Sequence, residues 1–283
     1  MLIELFSYII EKEIRKERRY VPKWTKCLSG TCPKNIKNMR GIVIEKVSNL
    51  YKVISLENNN KNNDNDNENK NNNIYEAVAR GKFKKDDTNI VVGDIVEFTV
   101  LDDSSNDKSK NKKAVIESIE DRKVYIKRPK IANITQIVFV VSSKSPKPDL
   151  LMLDKQLAFA EFLGINALIV LNKIDLDDKK EFENIKTLYE NIGYKVIETG
   201  AKERIGVDEL RECLENNINA FSGNSGVGKS TLINGIFSSD VTKEGEVSKK
   251  NKRGKNTTTT VKLYEINNNT YIADTPRFFY FFY

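Results

Sequence analysis

The alternation of apolar runs with helical patterns predicts an α/β fold, a doubly wound sheet carrying a phosphate-binding loop. Three observations carry this reading. GNSGVGKST, residues 223–231, fits G-x-x-x-x-G-K-[ST], yet only fifty-two of the 283 residues follow it. ALIVLNKIDL, residues 167–176, lies upstream and ends an apolar run in Asn172-Lys173-Ile174-Asp175. Apolar runs at 134–143, 167–171, 195–198, 218–221, 261–266 and 271–273 give six strands, with helical patterns between most of them. A domain built on such a loop usually opens with it. Here the remainder must lie upstream, so the order of its parts is rotated.

The elements follow in sequence. Strand 134–143 is followed by strand 167–171, whose C-terminal end carries the Asn-Lys-x-Asp frame. Asp175 could accept two hydrogen bonds from the guanine N1–H and 2-amino group, Asn172 could meet the other edge, and the Lys173 stem could cover the base face. Adenine lacks both donors and would leave a buried carboxylate unpaired, which such a site rejects strongly. In a chain rich in Asn, Lys, Ile and Asp these four residues carry little weight alone. Their place at the C-terminal end of a buried strand, where α/β sheets bind ligands, gives them weight. Phe182, Ile185, Leu188 and Tyr189 mark a helix, 195–198 a strand, and Val207–Leu214 another helix.

Ile218–Phe221 then enters the loop Gly223-Asn224-Ser225-Gly226-Val227-Gly228-Lys229-Ser230-Thr231. Its glycines let backbone N–H groups converge on phosphate oxygens. Lys229 supplies charge to the β and γ phosphates, and the Ser230 hydroxyl is placed for Mg²⁺. The helix Ser230–Phe237, with Leu232, Ile233 and Ile236 on its apolar side, points its N-terminus at the phosphates. Beyond it come Thr257–Thr260, two strands, and Asp274-Thr275-Pro276.

This order, with these residues, resembles the ribosome small subunit-dependent GTPase A family of circularly permuted GTPases, from about Met39 to Pro276. RGIVIEKVSNLYKV (40–53), YEAVARGKF (75–83), VVGDIVEF (91–98) and KAVIESIEDRK (113–123) resemble the family's oligonucleotide-binding (OB) barrel. RPKIANITQIVFVVS (128–142) and LDKQLAFAE (153–161) resemble its domain junction and first GTPase helix. Thr199-Gly200-Ala201-Lys202 resembles the loop whose backbone reads the guanine O6, and RGKNTTTT the threonine switch. The resemblance implies an α/β P-loop GTPase domain over 126–283, an all-β OB-type barrel over 39–125, and an extension over 1–38. It implies GTP or GDP as ligand, Mg²⁺ held by Ser230 with Thr258 or Thr259, and Asp274 behind it through a water. Lys229, Thr258, Thr259 and Asp274 would serve hydrolysis.

Several positions depart from the family pattern. Arg277 stands where the aspartate motif ends in Gly, and Asn256 where His is usual; the chain has no histidine. The family continues into a helix and a zinc domain, whereas this sequence runs from Arg277 through Phe278-Phe279-Tyr280-Phe281-Phe282-Tyr283. On this reading the chain is truncated before the zinc ligands. The expected function is a GTPase of late small-subunit maturation with slow intrinsic turnover. The alternatives are a hydrolysis-deficient nucleotide- and RNA-binding module, or the product of a truncated or frame-shifted gene.

Composition agrees with a polyanion partner. Lys and Arg total 47 against 40 Asp and Glu, a net charge of +7. Basic stretches at Lys82-Lys84-Lys85, Lys108–Lys113, Arg122-Lys123, Lys127–Lys130 and Lys249–Lys255 also suit ordinary solvated faces. Together with a barrel they favour ribosomal RNA over DNA, read by shape and phosphate, with barrel aromatics able to stack bases. Cys27, Cys32 and Cys213 form no disulfide framework, and Cys27-x₄-Cys32 lacks the partners of a zinc site. Asn58–Asn73, nearly all Asn, Lys, Asp and Glu, is expected to be a disordered loop. Leu2–Ile10 is too short and too charged for a signal or anchor. A cytoplasmic monomer bound to no membrane is expected.

Overall fold

The structure, a computed structural model, describes residues 38–57, 73–80, 89–101, 112–144, 146–176, 180–200, 204–241, 261–267 and 269–274. The N-terminal extension up to residue 37, with Cys27 and Cys32, and the Asn-rich segment 58–72 lie outside them.

Five strands close into a barrel: β1 (Asn38–Val47), β2 (Leu50–Ser55), β3 (Ile74–Ala79), β4 (Ile95–Val100) and β5 (Lys112–Ile119). The circuit is β1-β2-β3-β5-β4-β1, with β3 and β5 parallel and the other pairs antiparallel. This closed five-strand circuit is of the OB type and leaves no edge within the barrel. β1 serves two neighbours: Asn38–Ile42 pair with β4 and Gly41–Val47 with β2, with a register shift between Val43 and Glu45. The interior holds Val43, Tyr51, Val53, Tyr75, Phe98 and Ile116 among others, and the Tyr75 and Phe98 rings lie 4.9 Å apart. Tyr51, Tyr75 and Phe98, the three aromatics of these strands, are thus spent on the core. The stacking surface expected of barrel aromatics is not made by them.

The turn before β4 fastens the barrel to the hairpin beyond it. The Asp94 carboxylate is fully buried and accepts from the Val91 N–H at 2.8 Å and from Arg122 Nε and Nη2 at 2.7 and 2.9 Å. Gly93 has φ +88, and a Cβ there would stand 2.0 Å from the Ala132 carbonyl oxygen. Left-handed backbone and close approach both demand glycine. Ala132 belongs to a short hairpin of β6 (Tyr125–Lys127) and β7 (Lys130–Ala132) that leads out of the barrel.

The second part runs β8 (Gln136–Ser142), α1 (Leu150–Leu163), β9 (Asn166–Asn172), a 3₁₀ turn (Ile174–Leu176), α2 (Lys180–Asn191), β10 (Lys195–Thr199), α3 (Val207–Leu214), β11 (Ile218–Ser222), α4 (Lys229–Val241), β12 (Lys262–Asn267) and β13 (Thr270–Asp274). The order β10-β9-β8-β11-β13-β12 is parallel except for β12. All six expected strands form, within two residues of their sequence bounds. Period-2 alternation sorts the faces. Ile137, Phe139, Ile169 and Leu171 share a core with α1 and α2, through residues such as Leu157 and Phe182. Val138, Val140, Leu168 and Val170 share another with α3 and α4, through Leu210 and Leu232. Asp149 caps α1 by accepting from the Met152 N–H at 3.0 Å, and Gly164 ends it with φ 66.

Barrel and open sheet are continuous. β1 meets β12 antiparallel at Glu45 opposite Lys262, which makes one eleven-stranded sheet. Ile42, Ile44 and Ile54 of the barrel pack in the same core as α1 and α2.

Candidate nucleotide-binding site

β11 sits between β8 and β13, and its parallel neighbours bring their C-terminal ends to the side where the phosphate loop begins. Within that loop Val227 is buried and anchors it in the α3–α4 core. Gly228 has φ +100, and a Cβ there would strike the Asn172 amide nitrogen at 2.3 Å. The Leu232 N–H donates to the Gly228 carbonyl at 3.0 Å, which starts α4 against the loop. Asn224, Ser225, Gly226, Ser230 and Thr231 are exposed, so the mouth opens to solvent. Lys229 turns back over its own loop: Nζ donates to the carbonyls of Gly223 at 2.6 Å and Asn224 at 2.9 Å. Burial lowers its pKa below 10.5.

The Asn172-Lys173-Ile174-Asp175 frame is joined directly to this loop. Asn172 is buried at the end of β9, aligned with Ser142 of β8 and Thr199 of β10. Its Nδ2 donates to the Val227 carbonyl at 2.8 Å, and its Oδ1 accepts from Thr199 Oγ1 at 3.0 Å. The sequence suggested that Asn172 meets a base edge; in the structure its amide also ties the ends of β9 and β10 to the phosphate loop. Lys173 has φ 67 and donates from Nζ to the Gly226 carbonyl at 2.6 Å, which lays its stem across the gap between the loops. Its own carbonyl accepts from Ser143 Oγ at 3.1 Å. Ile174 and Asp175 follow in the 3₁₀ turn, with Asp175 exposed. Gly200 and Ile205 exchange backbone hydrogen bonds at 3.1 and 3.2 Å and pinch the next loop. Ala201 and Lys202, between them, lie outside the described residues.

Sequence reasoning did not single out the Ser143 and Thr199 hydroxyls as supports. For Thr199 the signal available was register: in parallel strands the residues level with Asn172 face the same loop.

Ser230, in the first turn of α4, and Asp274, at the end of β13, supply a hydroxyl and a carboxylate at this end of the sheet. Hard oxygen donors of this kind suit Mg²⁺, which keeps waters and takes oxygens from substrate phosphates. Thr258, Thr259, Lys249–Lys255 and Thr275–Tyr283, with Arg277, lie outside the described residues. Among the described residues no group of three or more His, Cys, Asp or Glu could hold a metal, and Cys213 is a half-buried free thiol.

A phosphate loop on a strand inside the sheet, tied to a base-reading frame that precedes it in the chain, defines a circularly permuted P-loop GTPase. Residues 119–281 match the family described as RsgA GTPase, and residues 67–106 match the RsgA N-terminal domain. The chain belongs to the RsgA GTPase family. The small ribosomal subunit biogenesis GTPase RsgA of Clostridium acetobutylicum is 39% identical over 240 residues, covering 85% of this chain and 75% of that protein. Its namesake from Ruminiclostridium cellulolyticum is 42% identical over 206 residues, covering 73% of this chain and 65% of the relative. The crystal structure of YjeQ from Thermotoga maritima superposes with a TM-score of 0.65 at 30% identity, covering 85% of this chain and 75% of that one. YloQ, described as a circularly permuted GTPase, gives a TM-score of 0.61 at 25% identity, covering 87% and 74%.

Proposed function

We propose that this chain binds and hydrolyses GTP in the late maturation of the small ribosomal subunit and docks on ribosomal RNA through its barrel. The observation that carries the reading is the Asn172–Val227 hydrogen bond, which joins the Asn-Lys-x-Asp frame to the phosphate loop in spite of their rotated order. The relatives' role in small ribosomal subunit biogenesis supplies the partner. The division we propose is a barrel over 39–125 and a GTPase domain over 126–283.

In this site Asp175 takes the guanine N1–H and 2-amino donors, and the Lys173 stem covers one face of the base beside Ile174. Backbone N–H groups at Ala201 and Lys202 meet O6. The loop amides of Asn224 to Thr231 surround the phosphates. Lys229 leaves the Gly223 and Asn224 carbonyls and places its ammonium on the β and γ oxygens. Ser230, Thr258 or Thr259, and Asp274 would hold Mg²⁺, which neutralises phosphate charge when bound. Catalysis in such a site is positioning and electrostatics, without a strong base. No helix among the described residues is long and apolar enough to cross a membrane. We place the protein in the cytoplasm as a monomer.

The test is GTP turnover and co-sedimentation with purified small subunits, each measured with GDP and with a non-hydrolysable GTP analogue. Slow turnover that rises with subunits, and binding that depends on the nucleotide, are expected. A chain that binds guanine nucleotide but no subunit in either state would overturn the ribosomal reading.

A further inference from the structure

Glu45 sits where the barrel joins the open sheet. It follows the register shift in β1, pairs opposite Lys52 of β2, and is the residue of β1 that faces Lys262 of β12. Its carboxylate lies 2.8 Å from Lys52 Nζ and 3.4 Å from Lys262 Nζ, with a side chain only 18% exposed. Two cations from two domains therefore share one largely buried anion.

Lys262 continues the line into the nucleotide site. Its Nζ stands 5.2 Å from the centre of the Tyr264 ring. That ring meets Phe237 edge-on, with centroids 6.1 Å apart. Phe237 belongs to α4, the helix whose first residue is Lys229 of the phosphate loop. On the other side, Lys262 opens β12 directly after Val261, which is buried, and the threonine run Thr257–Thr260. A shift of β1 relative to the sheet thus acts at the start of β12, and a shift of α4 reaches the same residue through Tyr264. Packed elements of this kind move between discrete arrangements, since interiors do not deform continuously.

Resting on the ribosomal reading above, we propose that Glu45 and Lys262 are the pair that couples the barrel to the nucleotide site. Their ion pair holds the start of β12 against the barrel. It couples RNA docked on the barrel to β12 and to the phosphate-loop helix. The pair sets how strongly each site senses the other. Because coupling free energy is reciprocal, nucleotide state must alter subunit affinity by the same factor as subunit binding alters nucleotide affinity.

The experiment measures small-subunit affinity of the full chain with GDP and with a GTP analogue, in wild type, Glu45→Gln, Lys262→Gln, the double variant and Lys262→Arg. In wild type the two affinities should differ by about 5–150-fold, the usual size of such coupling. Either glutamine variant should bring the ratio close to one, while GDP affinity and subunit-free turnover stay at wild-type values. The double variant should lose no more than either single one, because the residues act as a unit. Lys262→Arg keeps the charge and should keep the ratio. A Glu45→Gln protein that retains the full ratio, or glutamine variants whose losses add, would overturn the proposal. Should Glu45→Gln fail to fold, the comparison of Lys262→Gln with Lys262→Arg decides the same point. A wild type that binds no subunit at all would instead remove the reading beneath it.

Discussion

Asn172 donates from Nδ2 to the Val227 carbonyl oxygen at 2.8 Å, and so fastens the end of β9 to the phosphate loop 55 residues away. Removing the amide leaves a buried carbonyl and the Thr199 hydroxyl without their partner. Asn172→Ala is expected to cost about 1–3 kcal/mol of stability, the penalty of an unsatisfied buried group. It should also weaken GDP and GTP equally, since the loop loses its anchor and no phosphate contact is removed. Urea denaturation alongside nucleotide titration checks both; weakened binding with unchanged stability would contradict the tying role.

Asp175 behaves differently because it is exposed and contributes little to the fold. Asp175→Asn should leave stability within about 0.5 kcal/mol. It should reduce GDP affinity by a factor on the order of 10²–10⁴, because a donor pair on the base then meets an amide. Xanthine nucleotides, whose 2-oxo group accepts from the new amide, should gain. Titration with labelled GDP and XDP measures the exchange, and equal GDP affinity in mutant and wild type would sink the assignment.

Lys229→Ala should remove about 2–4 kcal/mol of nucleotide binding, the loss of a charge-assisted phosphate contact. Its effect on the free protein has the opposite sense. Burial disfavours the charged ammonium and lowers its pKa in the fold. The folded state therefore holds fewer protons than the unfolded state between that lowered value and 10.5. Wild-type stability gains a rising component over that window, and the alanine variant lacks it. Calorimetry with nucleotide, and denaturation across the alkaline range without it, separate the two effects.

Asp94 accepts three hydrogen bonds and carries the Arg122 guanidinium, which is itself partly buried. Asp94→Ala leaves that cation unpaired and should destabilise by about 3–5 kcal/mol. The loss falls on the junction between barrel and hairpin, so the barrel should become protease-sensitive before the nucleotide domain does. Limited proteolysis read by mass spectrometry follows the order of cutting; simultaneous loss of both parts would argue that the junction is not independent.

Burial pushes the Glu45 carboxyl up, but Lys52 and Lys262 more than offset this and hold it below its ordinary value of 4.5. A carboxyl with a depressed folded pKa contributes stability above its unfolded value and loses it as pH falls through the folded one. Acid denaturation of Glu45→Gln should therefore be shallower than that of wild type below pH 4.5. Parallel acid titrations followed by circular dichroism measure the difference, and superimposable curves would refute it.

Much of the nucleotide domain was legible in the chain because its signals are local. Apolar runs gave six strands, and the glycine pattern placed the loop whose Gly228 touches Asn172. Pairings between distant residues left no such trace. Nothing local marks Glu45 as the partner of Lys262, since a glutamate in an alternating strand reads as an outward residue. Tyr51, Tyr75 and Phe98 read equally well as a stacking face or a core; closure of β1 on β4 decides for the core. Asn172 is a case of two valid chemistries for one amide: the sequence suggested a base edge, and the parallel register with Thr199 adds an internal tie.

The place of β11 between β8 and β13 has a consequence for how the chain acquires its shape. β8, β9 and β10 precede β11 in synthesis, and β12 and β13 come after it. A nascent chain that has just produced the phosphate loop has a half-sheet with an open edge beside that loop. The β12–β13 hairpin is a local antiparallel pair that can form by itself and then fill the gap in one docking step. The same step brings Lys262 against Glu45, in a strand made near the start of the chain. In the permuted order, one hairpin delivers both the strand that borders β11 and the strand that meets the barrel at Glu45.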